Sequence, residues 1–436
     1  MIEIFSILCQ LIIFITIFSF PFTPKILNIS IGSKKTFNII DAHTINVIFF
    51  LYLSLLISFT GINLIIFFKI YFVLAVVFIL FNLKKLSKIF NNENITSLFL
   101  FLLIVLSIFS YLAQNLRLES DGHMWLEKAL IFYNGYDIQS IRDVPTHPEY
   151  PHLGSYIWAF FWKNSILNLE YFGRYFQPYF YVLSIFLIIN NLSFNNKKLK
   201  ILLILFLILI SFEPYLFGGY QEYLIFTTII VAIRYVLLID FNNPKNLNII
   251  SLVLLILYIN CWFKDEGVVY FIIFGLLLIY FINIKFLTKI YFFLFMAFLL
   301  ILQIILQKYL IGIHGFPHNN LIELFNLLNN PEILFIKILK ISEGVMISFI
   351  KYPLWLLTLF SLLVYLIFIK KYEKLFMYVS SCLILNLAFI FVVFLGFSEY
   401  EWYISVTLDR LMFQTSGLYL IFSFLLVKDL KIFQKK

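Results

Sequence analysis

Long apolar runs alternate with short clusters of charge along the whole chain. The runs continue for roughly 15 to 25 residues without the apolar–polar alternation of a β-barrel strand, which is the length of a helix that crosses a bilayer. The division within 46–82 is left open. We predict about 13 membrane-spanning helices, near 4–20, 46–60, 62–82, 96–115, 176–192, 199–217, 222–239, 247–262, 267–284, 290–311, 345–369, 375–397 and 411–427.

The composition agrees with this pattern. Of the 436 residues, 62% are hydrophobic and only 13% are charged, whereas roughly 25% are charged in soluble domains. The mean hydropathy is +0.98. The predicted fold class is therefore an all-α polytopic membrane protein, which contacts membrane lipids. The formal net charge is +9, but the basic residues lie in clusters between the apolar runs. We interpret them as topology signals and exclude nucleic acid as the partner.

The basic clusters also predict an orientation. Pairs such as Lys84 and Lys85 place one set of connections in the cytoplasm, with the N-terminus outside and the C-terminus inside. Two long connections, 116–175 and 312–344, then both lie outside. Neither has the composition of a disordered segment, so we expect them to form a folded external cap.

The first long connection contains two apolar segments that we predict to be helices on the membrane surface. The segment 123–134 places Trp125, Ala129 and Phe132 on one helical face, and Gly135 follows as a stop signal. The segment SYIWAFFWKN carries aromatic side chains of the kind that favour the headgroup layer, namely Tyr156, Trp158 and Trp162.

Asp121, in the stretch LESDGHMW with His123 close behind, is the first candidate for chemistry. A carboxylate that is partly removed from water beside a membrane can act as a general base. The alternative is a helix N-cap, in which the oxygen of Ser120 or Asp121 accepts a backbone hydrogen bond.

A second group lies in DVPTHPEYPHLGSY, where prolines fix a non-helical path around His147, Glu149 and His152. The two histidines are candidate ligands for a metal, although no further ligand spacing accompanies them. Contact with a phosphate or a sugar is the other interpretation.

Two further stretches place positive charge at the outer ends of spans. In WFKDEGVVYF, Lys264 could hold a phosphate group while Glu266 and its neighbour position it; the alternative is a polar turn in water. In TLDRLMFQT, Arg410 could bind phosphate with both arms of its guanidinium; the alternatives are a salt bridge to Asp409 or a surface charge.

These motifs, taken in order, resemble a known family. DGHMWLEKALIFYNG, then HPEYPHLGSYIWAFF, then FGRYFQPYFYVL resemble the first external loop of the GT-C superfamily of membrane glycosyltransferases. The similar branches are the protein O-mannosyltransferases and the lipid A aminoarabinose transferases. KDEG and DRLMF resemble further signatures of the group, and the resemblance covers roughly 96–427.

The resemblance implies transfer of a sugar from a polyprenyl-phosphate-linked donor to a lipid, glycan or protein acceptor at the external face. Asp121 matches the catalytic carboxylate, while Lys264 and Arg410 match basic contacts to the carrier phosphate. We expect an integral protein of the bacterial inner membrane with a periplasmic active site. No cofactor is assigned, and the need for a divalent cation is left open. The remaining candidate substrate contacts are His123, His147, Glu149, His152, Arg174, Glu222 and Glu266.

The resemblance also divides the chain. Residues 1–95 would hold three N-terminal spans, 96–311 a seven-span module that includes the loop 116–175, 312–344 a second external loop, and 345–436 the C-terminal spans. This chain departs from the family pattern in its three additional spans, in His152 where a second proline is usual, and in the pair Asp121-Gly122 where two acids are common.

Two other classes of function are kept. An O-antigen polymerase or ligase also uses a lipid carrier outside the membrane, but its large external loop comes late in the chain. A lipid-linked glycan flippase or transporter would need no carboxylate in a cap, and the sequence shows no matched pair of broken helices.

Overall fold

The computed structural model describes residues 2–31, 37–87, 92–115, 117–190, 197–244, 246–313, 327, 329–369, 373–418, 423 and 425. Helices make up 81% of the structure, and these residues contain no strand. The helices are α1 (Ile2–Ile17), α2 (Pro24–Ile31), α3 (Ile39–Ser58), α4 (Leu64–Ser87), α5 (Asn92–Gln114), α6 (Ser120–Asn134), α7 (Leu153–Lys163), α8 (Tyr171–Arg174), α9 (Phe176–Asn190), α10 (Lys197–Ser211), α11 (Glu222–Val236), α12 (Leu247–Tyr258), α13 (Glu266–Phe281), α14 (Phe286–Ile305), α15 (Pro331–Lys351), α16 (Pro353–Val364), α17 (Lys374–Leu395), α18 (Tyr400–Tyr403) and α19 (Asp409–Thr415).

Six helices in the described part of the chain are long and apolar enough to cross a membrane, or seven if one bent pair counts as a single span. This confirms a helical membrane protein, but it does not confirm the predicted count of thirteen. The apolar runs overestimate helix length where turns interrupt them. The run 199–217, for example, contains α10 only as far as Ser211, because Pro214 follows and opens a separate short turn.

The largest difference from the prediction concerns 312–369. Helix α15 begins at Pro331, inside the expected second loop, and the chain bends by 95° between α15 and α16 instead of forming one span over 345–369. Tyr352, at the bend, has φ −106° and ψ 101°. Proline at the next position disfavours a helical conformation there and provides no backbone N–H, which explains the break. Residues 314–326 of the second loop, and most of 419–436, lie outside the described residues.

Two helices form the centre of the bundle. Helix α9 packs against α3, α5, α10 and α11, while α11 also contacts α12 and α19. The segment Tyr171–Asn190 is buried along its whole length, whereas only 22% of the most apolar window is buried in Leu64–Asn82 and in Phe286–Ile311. One hydrophobic core extends from Ile7 to Leu425. The four predicted divisions of the chain therefore share one core, and the outer helices present apolar side chains to lipid.

The two helices predicted within the first long connection are both present, whereas the external cap that they were predicted to form is not confirmed. Gly135 ends α6 with φ 81°, and Trp125, Ala129 and Phe132 are buried together as the pattern predicts. Helix α7 differs from the expectation of a helix lying on a surface. Its residues 153–161 are buried on every face, because α3, α4, α6 and α8 all pack around it.

Candidate functional site

Five of the ten candidate residues meet at one end of the bundle. Asp121, Glu222, Glu266 and Arg410 stand in the first turns of α6, α11, α13 and α19, and Lys264 lies in the turn before α13. We call these five side chains the ion network. They come from distant parts of the chain: Asp121 and Arg410 are separated by 289 positions.

Each member of the ion network touches the next. The guanidinium of Arg410 donates a hydrogen bond to the carboxylate of Asp121, and its Nη1 lies 3.6 Å from Oε1 of Glu222. Nζ of Lys264 donates to the same Oε1 over 3.1 Å and lies 3.3 Å from Oε1 of Glu266. Glu222 therefore sits between the two cations, while Asp121 and Glu266 occupy the ends.

The five side chains of the ion network differ in how far they are buried. Glu222 is fully buried, and Lys264 and Arg410 are each 8% exposed. The side chains of Asp121 and Glu266 are 31% and 21% exposed. The two terminal carboxylates can thus meet a ligand from outside, whereas the central charges are held within the protein, where their attraction is less screened.

The structure differs from three of the simpler alternatives drawn from the sequence. The N-cap of α6 is Glu119, which makes no side-chain capping bond, and Asp121 lies within the first turn. Asp409 pairs with Lys351 rather than with Arg410. Lys264 is buried rather than part of a turn in water.

Glycines allow the first turns of α6 and α13 to pack closely against neighbouring backbone. A Cβ added to Gly122 would lie 2.2 Å from the carbonyl oxygen of Gly218, and Gly219 has φ +103° and faces Gly122. A Cβ on Gly267 would lie 2.1 Å from the carbonyl oxygen of Asn260. The residue after Asp121 and the residue after Glu266 must therefore be small, which accounts for Asp-Gly at the first position.

Two side chains in the turn before α13, Lys264 and Asp265, have raised pKa values. Burial alone would lower the pKa of Lys264, but the carboxylates of Glu222 and Glu266 outweigh it and raise that pKa above its ordinary value, so Lys264 stays protonated. Burial, and then the charge of Glu266, raise the pKa of Asp265 to about 7. Asp265 thus titrates near neutral pH beside a lysine that does not.

The proline-rich stretch holds a second pair. Nδ1 of His147 lies 2.8 Å from Oε1 of Glu149, and the His147 ring stacks on Tyr150 with centroids 4.7 Å apart. The side chain of His147 is 41% exposed and that of Glu149 is 14% exposed. Both therefore remain reachable by a ligand. His123 is exposed on α6.

Two other candidate residues, His152 and Arg174, are enclosed by protein side chains. His152 is buried, its Nε2 lies 2.9 Å from Oγ of Ser58, and its ring packs edge-on against Trp262. Burial lowers the pKa of His152 to about 3, so the ring is neutral. Arg174 is bound by both carboxylate oxygens of Glu170, at 2.9 and 3.0 Å. Both side chains are thus engaged by protein partners, and their contact with a substrate stays a prediction.

No group of three or more His, Cys, Asp or Glu side chains that could hold a metal ion occurs within the described residues. His147 and His152 in particular do not act as a pair, because His152 is enclosed by Ser58 and aromatic rings while His147 pairs with Glu149.

Sequence reasoning missed several residues around the ion network. The guanidinium of Arg410 lies over the ring of Tyr220, 4.8 Å from its centroid. Next to Arg410, Asp409 pairs with Lys351 on α15 and borders an open cavity of about 510 Å³ between α15 and residues 401–409. Lys128 is buried in α6. A single lysine or tyrosine in an apolar stretch carries no spacing signal, so only the fold identifies these residues.

Comparison with protein-family models, with curated proteins and with solved structures gives no match for this chain. The resemblance to GT-C enzymes therefore rests on the motifs and on their order in the sequence.

Proposed function

We propose that the protein is a membrane glycosyltransferase that moves a sugar from a polyprenyl-phosphate-linked donor to an acceptor at the external face. The observation that carries this proposal is the ion network. A partly exposed carboxylate, Asp121, shares one end of the bundle with two cations that both lie against the buried carboxylate of Glu222. These are the residue types that the reaction requires, a base for the acceptor and positive charge for the phosphate.

The proposed reaction uses Asp121 as the general base. The acceptor hydroxyl loses its proton to Asp121 as its oxygen bonds to the anomeric carbon of the sugar. The bond from that carbon to the carrier phosphate breaks, and the phosphate oxygen keeps the electron pair. Arg410 and Lys264 stabilise the negative charge that develops on the phosphate.

Donor binding and release of the base are coupled in this scheme. In the structure, Arg410 is engaged by Asp121. A phosphate competes for the same guanidinium, since arginine binds phosphate and carboxylate with the same planar donors. When the phosphate takes Arg410, the carboxylate of Asp121 becomes available to accept a proton. The donor therefore prepares the base as it binds.

Two further features support a ligand at this place. The second carboxylate oxygen of Glu222 is buried and makes no hydrogen bond in the described part of the chain. Such an acceptor is costly unless a donor meets it, and a donor from a ligand reaches it only once the ligand has displaced side chains that enclose Glu222. The open cavity borders Asp409, the chain neighbour of Arg410, and provides room for a substrate there, although its lining includes no member of the ion network.

The decisive experiment is turnover by the purified protein in proteoliposomes. A panel of radiolabelled polyprenyl-phosphate monosaccharides is supplied, and release of the sugar from the carrier is measured with and without an envelope-glycan extract as acceptor. Release by the wild-type protein that depends on Asp121 supports the proposal. Movement of intact lipid-linked sugar across the bilayer without release would instead indicate a flippase, and the transferase proposal would be wrong.

A further inference from the structure

Lys128 is a buried lysine that has no part in the proposed transfer reaction. It lies in the middle of α6 and is 1% exposed. Its Nζ donates hydrogen bonds to the carbonyl oxygens of His147 and Tyr150, each over 2.7 Å, and lies 3.5 Å from that of Pro148. It also lies over the rings of Trp125 and Tyr150, at 5.4 and 5.7 Å from the centroids. One side chain thus collects nearly all its partners from a single short stretch of backbone.

That stretch, residues 146–150, is a tight turn that we call the 146–150 turn. His147 has φ +48°, a left-handed conformation that is unfavourable for a residue with a side chain and persists only when surroundings hold it. The N–H of Tyr150 donates to the carbonyl of His147 over 3.2 Å. Thr146 donates to Glu127, the neighbour of Lys128, over 2.6 Å. Two consecutive residues of α6 therefore hold the turn.

The 146–150 turn lies near the turn before α13, and it is held by the same helix, α6, that carries Asp121. The Tyr150 hydroxyl is close enough to Glu266 and Lys264 for both charges to act on it: burial and then Glu266 raise the pKa of Tyr150, and Lys264 opposes them. The turn also carries the pair of His147 and Glu149, whose side chains are 41% and 14% exposed. α6 itself begins with Asp121, so one helix presents the base and fixes the turn.

We propose that Lys128 is a positioning residue that fixes the 146–150 turn, so that His147, Glu149 and Tyr150 are held in place to contact the substrate at the ion network. The substrate role rests on the proposed transferase function, whereas the fixing of the turn does not. The burial of a lysine here is explained by its carbonyl partners, since an ammonium without them would be strongly unfavourable in this position.

The first test measures the turn itself, without any substrate. Hydrogen–deuterium exchange of the peptide that covers residues 144–150 is compared between the wild-type protein, Lys128→Met and the control Lys163→Met. Methionine keeps the apolar stem but offers no donor to the three carbonyls. Lys163, at the end of the neighbouring helix α7, is the matched control. Its ammonium also lies over an aromatic ring, that of Tyr133.

We expect exchange in the 146–150 turn to be about tenfold faster in Lys128→Met, the effect of losing one or two buried hydrogen bonds, and unchanged in Lys163→Met. Equal protection in wild-type and Lys128→Met would overturn the proposal. Should Lys128→Met not fold, Thr146→Val removes the second tie to α6 and should accelerate exchange in the same peptide. No acceleration there would also count against a turn held by α6.

The second test separates positioning from general stability. In the transfer assay, Lys128→Met should raise KM for the lipid-linked sugar by about tenfold while kcat changes little, because the contacts move but the base remains. A loss of kcat with unchanged KM would contradict a positioning role. A wild-type protein without any transfer would end the transferase proposal, yet the exchange result would still decide whether Lys128 holds the turn.

Discussion

Asp121 and Arg410 stand 289 positions apart in the chain, and the guanidinium of one donates to the carboxylate of the other. Asp121 opens α6, and Arg410 lies at the start of α19. The contact joins the segment between α5 and α9 to the last described helix. Nη1 of Arg410 also lies 3.6 Å from Oε1 of Glu222, so Arg410 links Asp121 to a buried carboxylate. A ligand that binds here contacts segments that are far apart in the sequence.

The first prediction tests Asp121 as the base. Asparagine keeps the shape and an oxygen acceptor for Arg410 but cannot take a proton. We expect Asp121→Asn to fold, to reach the membrane at the wild-type level and to lose sugar transfer by about 10²-fold, the contribution of a positioned base. The measurement is release of labelled sugar in proteoliposomes.

The matched control for this prediction is Asp143→Asn, whose side chain is 75% exposed and pairs only with its neighbour Arg142 in the described structure. It should transfer normally. Full activity in Asp121→Asn would remove Asp121 from the mechanism and turn attention to the other candidate carboxylates, Glu149, Glu222 and Glu266.

The second prediction concerns the buried pair of Lys264 and Glu222, joined over 3.1 Å. Lys264→Met leaves Glu222 without one of its two cations, and breaking such a pair typically costs about 3–5 kcal/mol. The double variant Lys264→Met with Glu222→Gln removes the uncompensated charge and should recover at least half of that loss. Thermal unfolding in detergent measures both. Additive losses in the double variant would mean that the two side chains do not stabilise each other.

How far the sequence predicts this molecule depends on the feature. The apolar runs locate most helices to within a few residues, as for α9 and α17, because run length and helix length coincide where no proline lies beyond the first turn. They fail at Pro331 and Pro353, where a proline moves a helix start or bends a span. The local residue pattern does not encode whether a helix faces lipid or protein, so α7 was expected at a surface and is buried.

The candidate site divides in the same way. Charges at the ends of spans are expensive to place in a membrane, so Asp121, Lys264 and Arg410 stand out in the sequence, and the fold brings them together. His152 stands out equally, but its partner Ser58 lies 94 positions away. Only the packing of α3 against α7 reveals that this histidine belongs to the interior.

The third prediction uses Asp265, whose pKa is raised to about 7 by burial and then by Glu266. A carboxyl with a folded pKa above its unfolded value of 3.8 favours the folded state while protonated. That contribution is present at acidic pH and is lost as pH rises from about 4 to about 7. Asp265→Asn stays neutral at every pH. The stability of the variant relative to wild type should therefore increase over this window, as measured by thermal midpoints at pH 4.5 and at pH 8. A constant difference would show that Asp265 is not perturbed.

The fourth prediction concerns orientation. The basic clusters place the C-terminus in the cytoplasm and the long connections outside. A reporter fused after Lys436 should be active only in the cytoplasm, and one inserted near Asn320 only outside; both positions lie beyond the described residues. The helix starts that carry the ion network should then face the external side. The opposite reporter pattern would place Asp121 in the cytoplasm, where a donor with an external sugar could not reach it.

The last prediction tests the close approach beneath Asp121. A Cβ on Gly122 would lie 2.2 Å from the carbonyl oxygen of Gly218, and backbone cannot yield as a flexible side chain can. Gly122→Ala should therefore lower stability by about 1–3 kcal/mol and displace the start of α6, so that transfer falls as well. Gly135→Ala is the control: a Cβ there has no atom within 4 Å, but φ is +81°. It should cost only about 1 kcal/mol through backbone strain and leave transfer intact, because Gly135 lies at the far end of α6. Equal losses of transfer in both variants would mean that the helix as a whole, rather than the contact of Gly122 with Gly218, positions Asp121.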